Sequence, residues 1–209
     1  MAPTTTPHRS GETLLESTMM TALRSEEAVP TASATSVVTS SKARIALALA
    51  RLTTGFIFLW AFLDKTFGLH YSTGAAVAEG SPSLSWIDGG TPSQGFMKFG
   101  AIGPFKDVFA NLASPLTDWL FMLGMLGVGA AVMLGIGLRV SAVAGSLIMA
   151  MMWVAEWPLQ QGSTNPLIDY HVIYALVLII AALTFAGDTW GLGRWWANLP
   201  IVQKYSWLR

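Results

Sequence analysis

Residues 165–185 read NPLIDYHVIYALVLIIAALTF. From Leu167 to Phe185 this run is apolar and, coiled as an α-helix, about as long as the roughly 30 Å hydrocarbon core of a bilayer is thick. Asn165, Pro166, Asp169 and His171 stand at its entrance. Carboxylates and imidazoles are expensive at membrane depth, and they persist mainly where they face a bundle interior or a water-filled pocket. The stretch therefore predicts a membrane protein whose chemistry sits in a few titratable groups.

Composition agrees. Of 209 residues, 53% are hydrophobic and only 11% charged, too apolar and too sparsely charged for an ordinary soluble domain. Twelve basic side chains equal twelve acidic ones, so net charge offers no basis for nucleic-acid binding, and the partner the composition demands is the lipid bilayer. The chain contains no cysteine, which excludes disulfides, thiolate metal ligands, iron–sulfur ligation and a CxxC redox pair.

Working outward, three more apolar runs qualify as spans. The first covers about Ile45 to Phe67, with Arg51 near one end and Asp64 and Lys65 near the other. The second covers about Trp119 to Leu138 and carries Gly127, Ala131 and Gly135 on one helix face, where a neighbour can approach closely. Only Arg139 separates it from the third, Val140 to Trp157, so these two form a tight antiparallel hairpin. Ser141 and Gly145 offer matching small residues on that third span. The expected fold is an all-α, four-transmembrane-helix antiparallel bundle.

Residues 1–42 are rich in Thr, Ser, Ala and Pro and read as a disordered tail. A cap loop covers 68–112, where Phe96, Phe99, Phe105, Val108 and Phe109 punctuate polar residues as an interfacial segment does, and Pro104 interrupts any single helix. Residues 43–196 form the membrane domain and 197–209 a C-terminal tail. Lys42, Arg44, Arg139 and Arg194 flank the same ends of the spans, which by the positive-inside rule puts both termini in the cytoplasm and the long loop outside. Trp153, Trp157, Trp190, Trp195 and Trp196 cluster at span boundaries as belt residues do.

This topology brings Asp64, Lys65, Glu156, Asp169 and His171 to the outer ends of their helices. Together they suit the head group of a quinone, menaquinone or ubiquinone. His171, Asp169 and Glu156 would handle its protons, while Lys65 and Asp64 would bind, with Tyr170, Tyr174, Trp60, Phe62 and Trp157 as walls. Each residue also has a plainer reading. Lys65 and Asp64 snorkel at a span end, Glu156 is a solvated boundary carboxylate, and His171 bonds a neighbouring carbonyl. Asp169 complements the helix dipole, with Asn165 as N-cap before the first-turn Pro166. Arg51 lies about 20 Å from Lys65 along the first span and reads as a bundle-facing structural or relay residue. No zinc pattern, phosphate loop or tightly bound cofactor is expected, and His70 with His171 is a thin basis for haem.

Several stretches carry a resemblance beyond this. They are Ala-Arg-Leu at 50–52, Lys65 ending the first span, GIGLR at 135–139, NPLIDYHVIYA at 165–175 and AGDTWGLGRWW at 186–196. SWIDGG from Ser85 and GFMKFG from Gly95 lie in the long loop. In order and spacing the chain resembles the DoxX/DoxD family of small membrane proteins over most of 43–196. The resemblance implies a four-helix membrane bundle and, from archaeal members, oxidation of thiosulfate to tetrathionate with electrons passed to quinone, in company with a smaller partner subunit. Lys65, Asp169 and His171 are the family-pattern positions. The expected function is thus a quinone-linked oxidoreductase subunit of the cell membrane. The alternative is a non-catalytic scaffold or accessory subunit that recruits soluble redox enzymes or stabilises a respiratory complex.

Overall fold

Ser40 starts the first helix, α1 (Ser41–Phe67), its hydroxyl accepting from the Ala43 N–H. Gly68 ends it in a left-handed turn at φ +65°. The computed structural model describes residues 37–74, 84–160 and 165–209, all within the unit Ser36–Arg209. The expected disordered tail falls outside the described residues up to 36, and helix begins two residues before the anticipated domain boundary.

After the cap segment come α2 (Lys106–Leu112), α3 (Pro115–Leu134), α4 (Leu138–Glu156) and α5 (Tyr170–Leu183). Short helices α6 (Gly193–Ala197) and α7 (Pro200–Lys204) close the chain, and no strand occurs among the described residues. Three of these, α1, α3 and α4, are long and apolar enough to cross a membrane. The chain is in that sense an α-helical, lipid-associated protein. The fourth apolar run behaves differently: only Tyr170 to Leu183 is helical, 14 residues or about 21 Å, short of the anticipated 167–185. Its start is set by Asp169, whose carboxylate caps the helix, and its end by Thr184 and the left-handed Phe185.

The hairpin between the second and third spans also shifts. Ser114 and Thr117 form a reciprocal capping box with Pro115 at the first turn, so α3 begins four residues before the expected Trp119. It ends at Leu134 because Gly135 turns left-handed at φ +75°. The connection is Gly135-Ile136-Gly137, and Arg139 belongs to the first turn of α4.

Helix packing rests on small residues, at partly different positions from those anticipated. A Cβ on Gly129 of α3 would come within 2.6 Å of the Leu59 nitrogen on α1, and one on Gly55 within 2.9 Å of Val132. Leu59 follows Gly55 while Gly129 precedes Val132, so α1 and α3 run antiparallel. Gly127, expected on the close-packed face, meets nothing within 4 Å; the approach is at Gly129, about 200° around the helix axis, on the side that α1 crosses. Gly145 does serve as expected, lying against Leu178 of α5 and Val128 of α3. Phe58, Met125, Val128, Val132, Leu138 and Leu178 form the centre of the core. A Gly129→Ala substitution is expected to push α1 off α3 and cost about 1–3 kcal/mol, read as a lower melting temperature in detergent. Gly127→Ala should leave it unchanged.

In the cap, a π-helical turn at Phe96–Gly100 and α2 are separated at Pro104, as the proline demands. Residues 75–83 of the cap fall outside the described set. The C-terminal segment folds back onto the α3–α4 connection. Arg139 donates to the Ser206 carbonyl at 3.0 Å, Trp196 Nε1 to the Leu208 carbonyl at 2.7 Å, and Arg209 pairs with Asp188 at 3.0 Å.

Candidate functional site

Asp169 is the residue around which the polar site is built. Its Oδ1 accepts from the backbone N–H groups of His171 (3.0 Å) and Val172 (3.3 Å), as an N-cap carboxylate does. Its Oδ2 lies 2.9 Å from Nδ1 of His171. Asn165, the anticipated cap, forms an earlier turn, its side-chain oxygen accepting from Leu167 and Ile168. Pro166 and that turn hold residues 165–168 outside the helix, which leaves the cap to Asp169.

Across from it, at the C-terminal end of α4, Tyr170 donates its hydroxyl to the Glu156 carboxylate at 3.1 and 3.3 Å. The Tyr170 ring lies 4.0 Å from the His171 ring and 5.8 Å from Tyr174. Ligand-type atoms of Glu156, Asp169 and His171 all fall within 4.8 Å of one another. His171 is only 3% exposed, whereas the two carboxylates reach the surface. The Nδ1 contact with Asp169 orients the ring and leaves Nε2 as the nitrogen not engaged by that carboxylate, the arrangement of an oriented proton-transfer group. The spacing of the three groups would also admit a divalent cation. Asp169, however, already spends one oxygen on the helix N-terminus and the other on His171.

Lys65 and Asp64 do not join this cluster. Lys65 forms no ion pair with Glu156 or Asp169, and it lines a cavity whose walls include none of Glu156, Asp169 and His171. Asp64, 1% exposed, accepts from the backbone of Tyr71 (3.2 Å) and from the backbone and hydroxyl of Ser72 (2.9 and 2.7 Å). It closes the turn after α1 and is not a snorkelling end group. Trp157 takes a left-handed conformation at φ 39° and packs on Phe105 and Gly103 of the cap, with Trp153 on its other side. Trp60 stacks edge-on against Tyr71 instead of walling a head group at Tyr170. The anticipated charged layer thus resolves into a polar cluster between α4 and α5, a loop anchor, and a separate cavity.

Arg51 lies at the opposite end of α1 and is 0% exposed. Nη1 donates to the carbonyls of Val132 and, at 2.7 Å, Met133; Nη2 donates to Thr189 (3.4 Å) and Trp190 (3.0 Å). It therefore caps the C-terminal carbonyls of α3 and ties them to the segment after α5. Asp118 sits at the other end of α3, where it binds the backbone and side chains of Ser93 and Gln94 at 2.6–3.3 Å and pins the cap. Sequence reasoning missed this anchor. The available signal was its place in the first turn after a Ser-Pro capping sequence.

Comparison with protein-family models, with characterised proteins and with solved structures finds no match to this chain.

Proposed function

We propose that this chain is a quinone-linked oxidoreductase subunit of the cell membrane, with its proton-handling site between α4 and α5. The observation that carries this reading is the hydrogen-bonded array Asp169–His171 beside Tyr170–Glu156 at the ends of apolar helices. Quinone reduction takes up two electrons and two protons, so it needs groups that take protons from water and pass them to the quinone oxygens at a lipid boundary, with an aromatic wall for the ring. His171 and Glu156, protonated from the aqueous side, relay those protons, Asp169 orients the imidazole, and Tyr174 with Tyr170 flanks the ring.

The similarity of NPLIDYHVIYA and AGDTWGLGRWW to DoxX/DoxD sequences supports a small sulfur oxyanion as electron donor. Two thiosulfate ions joined as tetrathionate release the two electrons that, with two protons, convert quinone to quinol. The same similarity supports α5 with its flanks as a fourth crossing in an antiparallel bundle and the cap as an extracytoplasmic loop. Lys42, Arg44, Arg139 and Arg194 support cytoplasmic termini.

The reading is tested by thiosulfate-dependent quinone reduction with purified protein in lipid. A Tyr170→Phe variant keeps the ring on His171 and removes the hydroxyl that holds Glu156. It is expected to lower kcat about tenfold or more, the worth of a hydrogen bond to a charged group, with an altered pH profile. Unchanged kcat and profile would remove Glu156 from the site.

A further inference from the structure

Beneath the cap, between α1, α3 and α4, lies a cavity of about 390 Å³, within the size range of small-molecule sites. Phe96, Met97, Phe121, Ile148 and Met152 make its wall apolar. Among the described residues its single charged lining residue is Lys65, half-buried at the end of α1. No direct hydrogen bond or ion pair to this ammonium occurs among the described residues; the adjacent Asp64 attracts it only through space, both its oxygens being bound to Tyr71 and Ser72. The two hydroxyls in the wall are also engaged: Ser93 donates to Asp118 and Thr117 to the Ser114 carbonyl. An ammonium in an apolar cleft is costly unless an anion joins it.

The shape of the lining says where that anion comes from. Leu120, Leu147 and Met151 line the cavity and are 62%, 61% and 48% exposed on the outer faces of α3 and α4, two helices able to cross a membrane. The cavity therefore opens sideways, toward the hydrocarbon, and an occupant arrives from the bilayer.

We propose that this cavity binds a single-chain lipid carboxylate, a long-chain fatty acid, with its carboxylate on Lys65 and its chain lying between α3 and α4. Charge complementarity selects this occupant over a quinone, whose second carbonyl would face only apolar wall with no free donor. Because lipid is as apolar as the cavity, the chain gains little by leaving the bilayer and the head group decides binding. The acid and its methyl ester should therefore differ sharply. The site is distinct from the α4–α5 cluster and goes beyond the oxidoreductase reading.

The test is a titration of the full-length protein in maltoside micelles with cis-parinaric acid, read by energy transfer from tryptophan. Saturable binding is expected, displaced by oleate and at least about tenfold less well by methyl oleate, the discrimination of one charge-assisted hydrogen bond. Lys65→Gln should weaken binding about tenfold, Lys65→Arg should retain it, and Met152→Trp or Ile148→Trp should abolish it by filling the cavity, all with wild-type melting temperatures. Equal displacement by acid and ester, wild-type affinity in Lys65→Gln or in both tryptophan variants, or displacement by decylubiquinone as efficient as by oleate would overturn the inference. Quinone reduction is followed in the same preparations. If Met152→Trp loses it while melting normally, the two sites are one and the inference falls; if wild-type protein binds oleate but reduces no quinone, the oxidoreductase reading fails alone.

Discussion

An Arg51→Met variant is expected to lose about 3 kcal/mol or more of stability, appearing as a marked fall in melting temperature in detergent. The side chain is fully buried, and its two terminal nitrogens serve carbonyls of Val132, Met133, Thr189 and Trp190. Methionine fills much of the volume but leaves the Met133, Thr189 and Trp190 carbonyls without the guanidinium donor, while Val132 keeps the Gly135 N–H at 3.2 Å; in an apolar environment each unsatisfied group costs about 1–3 kcal/mol. Glycine backbones at Gly135 and Gly191 pack closely against the guanidinium. Arg51→Lys should recover only part of the loss, since one ammonium does not reproduce the planar fork that reaches two chain segments at once. A melting temperature within a degree or so of wild type for Arg51→Met would refute the role of Arg51 as the strut of this end.

The second large effect is on activity. Asp169→Asn keeps an N-cap oxygen for His171 and Val172, because asparagine caps helices about as well as aspartate. It removes the carboxylate that orients the imidazole. Combined with His171→Ala, it strips the base and its orienting group while the substituted amide still caps the start of α5. Loss of a positioned acid or base typically costs 10²–10⁴-fold, so the double variant is expected to retain on the order of 1% or less of the wild-type turnover. Asp169→Asn alone should fall between, with KM for quinone little changed, since orientation and not binding is lost. A rise in KM with a fall in kcat and a lowered melting temperature would instead mark Asp169 as purely structural.

The helices were legible in the sequence because hydrophobic length alone dictates them: α1, α3 and α4 lie within a few residues of the runs that announced them. Their ends were less legible, since caps compete locally. Ser114-Pro115 moved one start upstream, Gly135 moved one end upstream, and Asp169 outcompeted Asn165 at α5. The grouping of Glu156, Tyr170 and His171 followed from topology, as both helix ends face the same way and the connection between them is short. The separation of Lys65 from that group was not legible. Whether two residues at one level share a pocket depends on rotation about each helix axis and on which neighbour holds each side chain. On α4, Ile148 and Met152 line the cavity on the same stripe as Glu156, one turn further on, but the Glu156 carboxylate is held by the Tyr170 hydroxyl of α5. Loop anchoring by Asp64 was hidden as well, because a buried carboxylate that accepts backbone N–H groups leaves no spacing signature.

The central claim is that the α4–α5 cluster moves protons for quinone reduction. The most direct measurement is thiosulfate-dependent quinone reduction by the purified full-length protein in native-like lipid, beside the His171→Ala, Asp169→Asn double variant. Turnover in the wild type that falls at least about 100-fold in a variant of normal melting temperature is the predicted result. Equal turnover in both proteins, or none in either, would contradict it.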